Sequence, residues 1–297
     1  MTAALAALAL AASTASPEPR PRLLWTLPSP LAPPPAAVFA YLAGFPRGAA
    51  RTLAASGLML GTPYREGPLG EGAGHDPAPR LRFDAADCQT FVEEAIALGE
   101  ARGPEDLPAV LDDLRYGGPP AYGSRDHFVM TEWVPRNEAK GYVADATASL
   151  AGPLAREVEK TVTARSWARR RRALARLPDA AAPLGRFRLP VVPLDHVLAL
   201  APRIPDGTVA LVVRADRASY PDRVTHLGFI VHHRGRAFLR HASSVFRRVV
   251  DEPLDRFVAR NGRYDGWPVE GLSLLSVRDD SGRVGSLRPA LPGRAAR

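Results

Sequence analysis

Apolar and polar positions alternate on a helical period in the first part of the chain and on a strand period in the second. Val38 and Leu42, then Ala50, Leu53, Ala54 and Leu58, recur at helical spacing on either side of a break at Phe45-Pro46. Gly61-Thr62-Pro63-Tyr64 ends that pattern as a turn, and a polar loop rich in glycine and proline follows from Gly67 to Arg82. Cys88, Phe91, Val92, Ala95 and Ile96 then form one face of a helix. Asp84 or Asp87 can cap it, because a carboxylate there accepts the free N–H groups of the first turn. Glu105 to Leu114 reads as a further short helix that stops at Tyr116-Gly117-Gly118, whereas Tyr122 to Asn137 keeps no period of either kind. Irregular stretches rich in Arg, His, Trp and Asn are more often binding surface than core. A long helix is predicted from about Pro153 to Leu177.

Past Pro178 the runs become short and β-branched: Leu189 to Val192, Val209 to Val213, Leu227 to His232, Ala237 to His241, Phe246 to Val250 and Leu272 to Val277. Such runs, separated by turn signals, predict a small antiparallel sheet or barrel. Helices first and strands second indicate an α+β domain over residues 36–278, its helical part reaching about residue 177 and its β part spanning about 189–278. The flanks read differently. An apolar run from Ala3 to Ala12, closed by small residues, resembles a secretory signal peptide over residues 1–16, and a proline-dense arm follows over 17–35. Asp279 to Arg297 is polar and expected to be disordered. No other stretch is apolar enough to span a membrane, so the mature chain is expected to have no span.

Charge changes this picture little. The net charge of +8 would suit anionic surroundings, but Lys140 and Lys160 are the only lysines among 39 basic residues. An arginine-dominated chain with abundant alanine and proline fits GC-rich coding as well as function. The run Arg165, Arg169, Arg170, Arg171, Arg172 and Arg176 has only Trp167 as an interleaved aromatic and is read as a solvated face, so no nucleic-acid partner is expected.

The cysteine changes it more. Cys88 is alone, which excludes an internal disulfide and leaves no cysteine-based zinc site; no metal and no cofactor are expected. A thiol in a helix's first turn sits at the positive end of the dipole, where its pKa is expected to fall. That suits a nucleophile, although a lone cysteine also serves as a small buried hydrophobe. A nucleophile needs a base and a group that orients the base. Of seven histidines, His75 lies in the polar loop, His196 in a helical stretch, and His232 and His233 at a strand end beside Arg234-Gly235. His226 and His241 remain in strand contexts, where neighbouring antiparallel strands could put both rings on one face.

Asp87-Cys88 at a helix start, then Thr225-His226-Leu227-Gly228, then His241-Ala242-Ser243-Ser244 resembles the papain-like cell-wall hydrolases of the NlpC type. Gly61-Thr62-Pro63-Tyr64, Leu114-Arg115-Tyr116, Ser124-Arg125-Asp126-His127-Phe128, Trp133, Asn137 and Asp145-Ala146-Thr147 extend the likeness to the N-acetylmuramoyl-L-alanine amidase-like family over roughly residues 58–278. The resemblance implies a papain-like α+β fold in an exported, periplasmic or extracellular protein. Its implied activity is a cysteine amidohydrolase acting on peptidoglycan or muropeptides, at the bond between the N-acetylmuramoyl group and L-Ala. It implies Cys88 as nucleophile, His226 as base and acid, His241 as the orienting group, and Tyr64 beside the oxyanion. Arg125, His127 and Asn137 would line the substrate groove. Relatives carry a Gly-Asp pair ahead of the histidine strand where this chain has Gly207-Thr208, and no step of that chemistry uses the aspartate. The alternatives left open are a stem-peptide endopeptidase, an acyltransferase, and a non-catalytic wall- or polyanion-binding module.

Overall fold

The longest helix of the fold begins at the cysteine. The structure, a computed structural model, describes residues 36–169 and 177–287. The leader-like segment 1–16, the proline-rich arm 17–35, most of the arginine run and residues 288–297 lie outside them. Helices α1 (Ala36–Leu42) and α2 (Ala49–Leu58) flank the break at Phe45-Pro46, as the sequence indicates. Helix α3 (Cys88–Glu100) is capped by Asp87, whose carboxylate accepts from the Thr90 N–H at 2.8 Å while Thr90 Oγ1 accepts from the Asp87 N–H at 3.0 Å. Asp84, the other candidate cap, instead pairs with Arg82. Such a reciprocal box satisfies two otherwise free donors and fixes where the helix starts, hence where the thiol stands.

Helix α3 is buried nearly all round, between α2 and α4 (Leu107–Arg115) and against the sheet. Phe91 meets Phe229 edge to face at 5.6 Å, a contact contributing about 0.5–1.5 kcal/mol beyond its area. The helix also buries Glu93, Glu94 and Glu100. Glu93 pairs with buried Arg115 at 3.1 Å, and Glu100 accepts from the N–H groups of Gly48 and Asp280. The irregular run resolves into a π-helical turn, Val129–Trp133, that leads into α5 (Val134–Lys140).

Strands β1 (Val143–Asp145), β2 (Arg156–Val162), β3 (Gly185–Pro193), β4 (Val209–Arg214), β5 (Val224–His233), β6 (Arg236–Ser243), β7 (Arg248–Pro253) and β8 (Val269–Val277) make one sheet. Its order is β2-β3-β8-β4-β5-β6-β7, with β1 added to β8, and every pairing is antiparallel. Period-2 alternation splits β5 between two cores. Leu227, Phe229 and Val231 face the core shared with α3, whereas Ile230 faces the core that holds Phe257 of α9 (Leu254–Gly262). Among the described residues the chain is thus a mixed α/β fold on an antiparallel sheet.

Three expectations are corrected. In the helix predicted from about Pro153 to Leu177 residues 156–162 are strand: β2 pairs with β3 at Val158↔Leu189, and among the described residues of that stretch only α7 (Ala164–Ala168) is α-helical, the short α6 (Thr147–Ala151) lying before it. Val158, Lys160 and Val162 point inward on a period of two, while Glu157 and Glu159 stay accessible and pair across the strands with Arg188. The tail is docked through Leu287. Helix α10 (Ser281–Ser286), unlike the short α8 (Val197–Leu200) near α9, belongs to no predicted element. It buries Val284 and clamps Arg283 onto Asp113 at 2.6 Å. The strand predicted at Phe246 begins at Arg248, leaving Val245 and Phe246 exposed in the turn before it.

Candidate active site

The first turn of α3 comes to the sheet where β5 and β6 part. Their ladder starts at Phe229↔Arg240, so the β5 residues before it have no β6 partner in the ladder. The backbone N–H of Leu227 is directed at the Cys88 sulfur. Cys88 keeps part of its surface open, yet the packing around it outweighs the helix terminus. Burial, and after it the charge of Asp87, pushes the thiol up to about 12, against the opposing N–H groups of Leu227, Gln89 and Cys88 itself. The expected depression by the dipole is therefore reversed. The dipole is a surface-scale effect, and removing a thiolate from water costs more. In the resting protein Cys88 is a neutral thiol.

His226 and His241 meet across the parting strands, Nε2 to Nδ1, at 2.6 Å. Gly228 permits the approach. A Cβ there would lie 2.6 Å from the Arg240 carbonyl oxygen and 2.9 Å from the His241 Cβ. The relay continues: His241 Nε2 lies 3.2 Å from Glu252 Oε2, and Arg260 holds that same carboxylate through two nitrogens. Burial acts to raise the Glu252 carboxyl, but the His241 and Arg260 contacts outweigh it and hold the group below its usual range. Glu252 is ionised and can only accept. With a proton on His241 Nε2, facing that carboxylate, its Nδ1 would accept from His226 Nε2–H. That leaves His226 Nδ1 unprotonated. Burial first, then His241, Arg260 and Arg214, pushes the His226 imidazole well below 6.5, so this ring is neutral. Its plane stacks over Phe257 at 6.4 Å.

Tyr64 joins the thiol from a different element. It bridges to Ala86, just before the α3 cap, and its N–H donates to the Arg247 carbonyl. Burial, then Cys88 and Asp87, pushes its hydroxyl up to about 12, so it remains a donor at neutral pH. Tyr64 and Cys88 thus stand together, while His226 and His241 pair beside Leu227, whose backbone reaches the sulfur.

The other three predicted site residues lie on the irregular run, whose Asp126 carbonyl accepts from Gln89 Nε2, next to Cys88. Arg125 binds Asp76 at 2.9 Å, Glu71 at 3.5 Å and the Leu69 carbonyl, which fastens the polar loop. His127 Nε2 donates to the Tyr122 carbonyl at 2.7 Å, and burial pushes its ring down to about 4. Asn137 has no exposed surface and donates to the Leu114 and Trp133 carbonyls. These side chains hold the irregular run in place, because a segment without regular backbone bonding needs side chains to close its bonds. All three are engaged in scaffold bonds, with Arg125 and His127 still partly exposed.

Sequence reasoning also missed Glu252 and Arg260. His241 pairs with Val250, so Glu252 lies diagonally across the strand pair. Only the register discloses that. Among the described residues no group of three or more His, Cys, Asp or Glu could hold a metal ion, and no helix is long and apolar enough to cross a membrane.

Comparison with known proteins supports the same region as a unit. No curated protein matches the chain. A Legionella pneumophila protein of the DUF1460 family superposes with a TM-score of 0.72 at 23% identity, over 82% of this chain and 93% of that one. An N-acetylmuramoyl-L-alanine amidase from Bacteroides uniformis gives 0.61 at 22%, over 76% and 99%. A putative xylanase from Bacteroides fragilis gives 0.59 at 23%, over 75% and 99%. At these identities the likeness establishes a shared fold. The sequence itself goes further, since the profile of one family matches residues 54–263, from α2 through the end of α9. The chain belongs to the N-acetylmuramoyl-L-alanine amidase-like family.

Proposed function

We propose that the protein hydrolyses an amide of peptidoglycan fragments, the bond between the N-acetylmuramoyl lactyl carbonyl and L-Ala, through a thioester on Cys88. One observation carries the reading: a partly open thiol at a capped helix start whose sulfur meets the backbone of Leu227, the chain neighbour of a histidine backed by His241 and an ionised glutamate. Family membership supports a peptidoglycan-related hydrolase. The order of a helix-borne thiol followed by two strand-borne imidazoles supports the papain-like, NlpC-type assignment of the fold, and a wall substrate implies export.

Because thiol and imidazole are both neutral at rest, no preformed ion pair waits for substrate. As the sulfur attacks the carbonyl carbon, its proton passes to His226 Nδ1. The imidazolium that forms is stabilised through His241 by Glu252. The oxyanion is held by the Cys88 N–H and the Tyr64 hydroxyl. His226 then gives the proton to the leaving nitrogen and the C–N bond breaks. Water, deprotonated by His226, opens the thioester and restores the thiol.

The test is turnover of purified muropeptides by wild type and by Cys88→Ala, with products weighed by mass spectrometry. The expected outcome is release of the free stem peptide by wild type and none by the variant. A cut inside the stem peptide would replace the proposed bond with an endopeptidase, and equal inertness of both proteins would remove the enzyme.

A further inference from the structure

Beside the histidine pair lies a cavity of about 260 Å³, walled in part by His226 and His241 and in part by Arg214, Tyr264 and Trp267. Ligand pockets usually begin near roughly 300 Å³, so this one suits a short segment of substrate rather than a glycan chain. Arg214 is its unusual member. It closes β4 after a register shift at Val213, and its guanidinium is only partly open to solvent. Nε donates to Thr225 Oγ1 at 2.8 Å, one terminal nitrogen donates to the Trp267 carbonyl, and the other makes a long contact of 3.5 Å with Asn261 Oδ1. The cation lies 5.3 Å from the Tyr264 ring and 5.9 Å from the Trp267 ring.

Every one of those partners is neutral. Among the described residues no carboxylate pairs with Arg214; the Tyr264 phenol favours its charge, and the cations Arg217 and Arg260 oppose it. Arg260, which also lines the cavity, is neutralised by Glu252. A half-buried guanidinium held by aromatic faces and carbonyls, with spare N–H groups and no counter-charge, is costly unless an anion reaches it. The fixed fork of an arginine suits a carboxylate.

The chemistry of the proposed reaction says which part of the substrate would bring that anion, the cavity being lined by His226 and not by Cys88. The imidazole that hands a proton to the leaving amine must have that amine on its own side, and this cavity shares His226 as a wall. We propose that the cavity is the leaving-group subsite and that Arg214 binds a carboxylate of the departing peptide there. The inference rests on the amidase reading above. A carboxylate one residue beyond the leaving amine lies within reach, since a residue spans at most about 3.6 Å. In a stem peptide that position is the free carboxylate of the glutamyl residue following alanine.

The test is a binding measurement on Cys88→Ala protein, which cannot turn over its ligand. Two ligands are titrated by calorimetry: N-acetylmuramoyl-L-alanyl-D-glutamate, and the same compound with the glutamyl α-carboxylate converted to a carboxamide. The acid is expected to bind about tenfold more tightly. In Cys88→Ala with Arg214→Gln the difference is expected to shrink to about twofold or less, and Arg214→Lys to retain an intermediate preference. Equal affinity of Cys88→Ala for both ligands, binding of neither, or a preference that survives Arg214→Gln overturns the proposal. Intermediate behaviour of Arg214→Lys separates lost charge from a misfolded pocket. Turnover by wild type is read separately. If wild type cleaves neither ligand while Cys88→Ala still selects the acid, the amidase reading falls and the carboxylate subsite stands. If wild type cleaves both and no selection is seen, the reverse holds.

Discussion

Two neighbourhoods of this molecule are built from the same residue types and do opposite things. One is His226, His241, Glu252 and Arg260; the other is Tyr122, Arg125, His127, Glu132 and Asn137. Each holds an imidazole that burial keeps neutral, His127 at about 4 and His226 well below 6.5. His127 is tied to a carbonyl five residues away in its own loop, between the rings of Tyr122 and Phe128, and cations Arg125 and Arg115 oppose its protonation. His226 borders a cavity and is backed through a second ring by an ionised carboxylate. A depressed imidazole is therefore no mark of catalysis by itself. What distinguishes a base is an anion placed to receive the positive charge it will acquire, next to space for a substrate.

The largest effect that separates the two regions is expected from their histidines. His226→Ala should lower kcat/KM by about 10²–10⁴, the usual worth of a general acid–base group. His127→Ala should leave the rate of the folded protein within about twofold of wild type while lowering its thermal midpoint. The pH profile sharpens this. With the thiol near 12 and the imidazole below 6.5, wild-type kcat/KM should fall only on the acid side, as His226 takes up a proton, and stay level through pH 7–9. His226→Ala should lose that acid limb. An unchanged limb would place the base elsewhere.

Next comes Asn137. Its amide donates to two carbonyls, Leu114 and Trp133, and Asn137→Leu removes both bonds from a fully buried site. The expected cost is about 2–3 kcal/mol in chemical denaturation, with turnover per folded molecule retained. A selective loss of kcat/KM at unchanged stability would return Asn137 to the substrate groove.

Glu252 follows with a smaller effect. Glu252→Gln keeps an acceptor for His241 but removes the charge behind the relay. A fall in kcat on the order of tenfold with little change in KM is expected, below the loss of the base itself. If kcat held and only stability dropped, Glu252 would belong with the pinned cluster.

The chain's legibility divides along the same line. Runs such as Val209 to Val213 and Leu227 to His232 disclose their strands because burial on a sheet face enforces the period. The histidines of β5 and β6 could be singled out from those strands. Strand β2 stayed hidden, since Glu157, Glu159 and Lys160 read as helix-compatible charges until pairing with β3 buries Lys160. The docking of α10 depends on Glu100 and Asp113, far away in sequence. Glu252 could not be found without the β6–β7 register, and the direction of the Cys88 shift depends on packing density that no local pattern encodes. Composition marks residues able to do chemistry. Tertiary contacts decide whether they are free to do it, and Arg125, His127 and Asn137 are tied into bonds that no local pattern encodes.

The smallest expected effect runs in the stabilising direction and belongs to the pinned region alone. Glu132 is buried, with Oε2 accepting from the N–H groups of His127 and Phe128, and burial pushes its carboxyl up to about 7. The folded protein therefore binds a proton at Glu132 that the unfolded chain releases near pH 4.5. Stability from this group is full below about 4.5 and declines as pH rises toward 7, because folding must take up a proton from an increasingly dilute pool. Glu132→Gln keeps an oxygen for the two N–H groups and removes the titration. It should flatten that decline and raise stability at pH 7.5 by about 1–2 kcal/mol, measured as the difference between denaturant midpoints at pH 5 and pH 7.5. kcat/KM should stay within about twofold, since the shift falls on the scaffold and leaves the His226 relay untouched. A change in the pH–rate profile of Glu132→Gln would mean that the two neighbourhoods are coupled through α3, and the contrast between them would have to be redrawn.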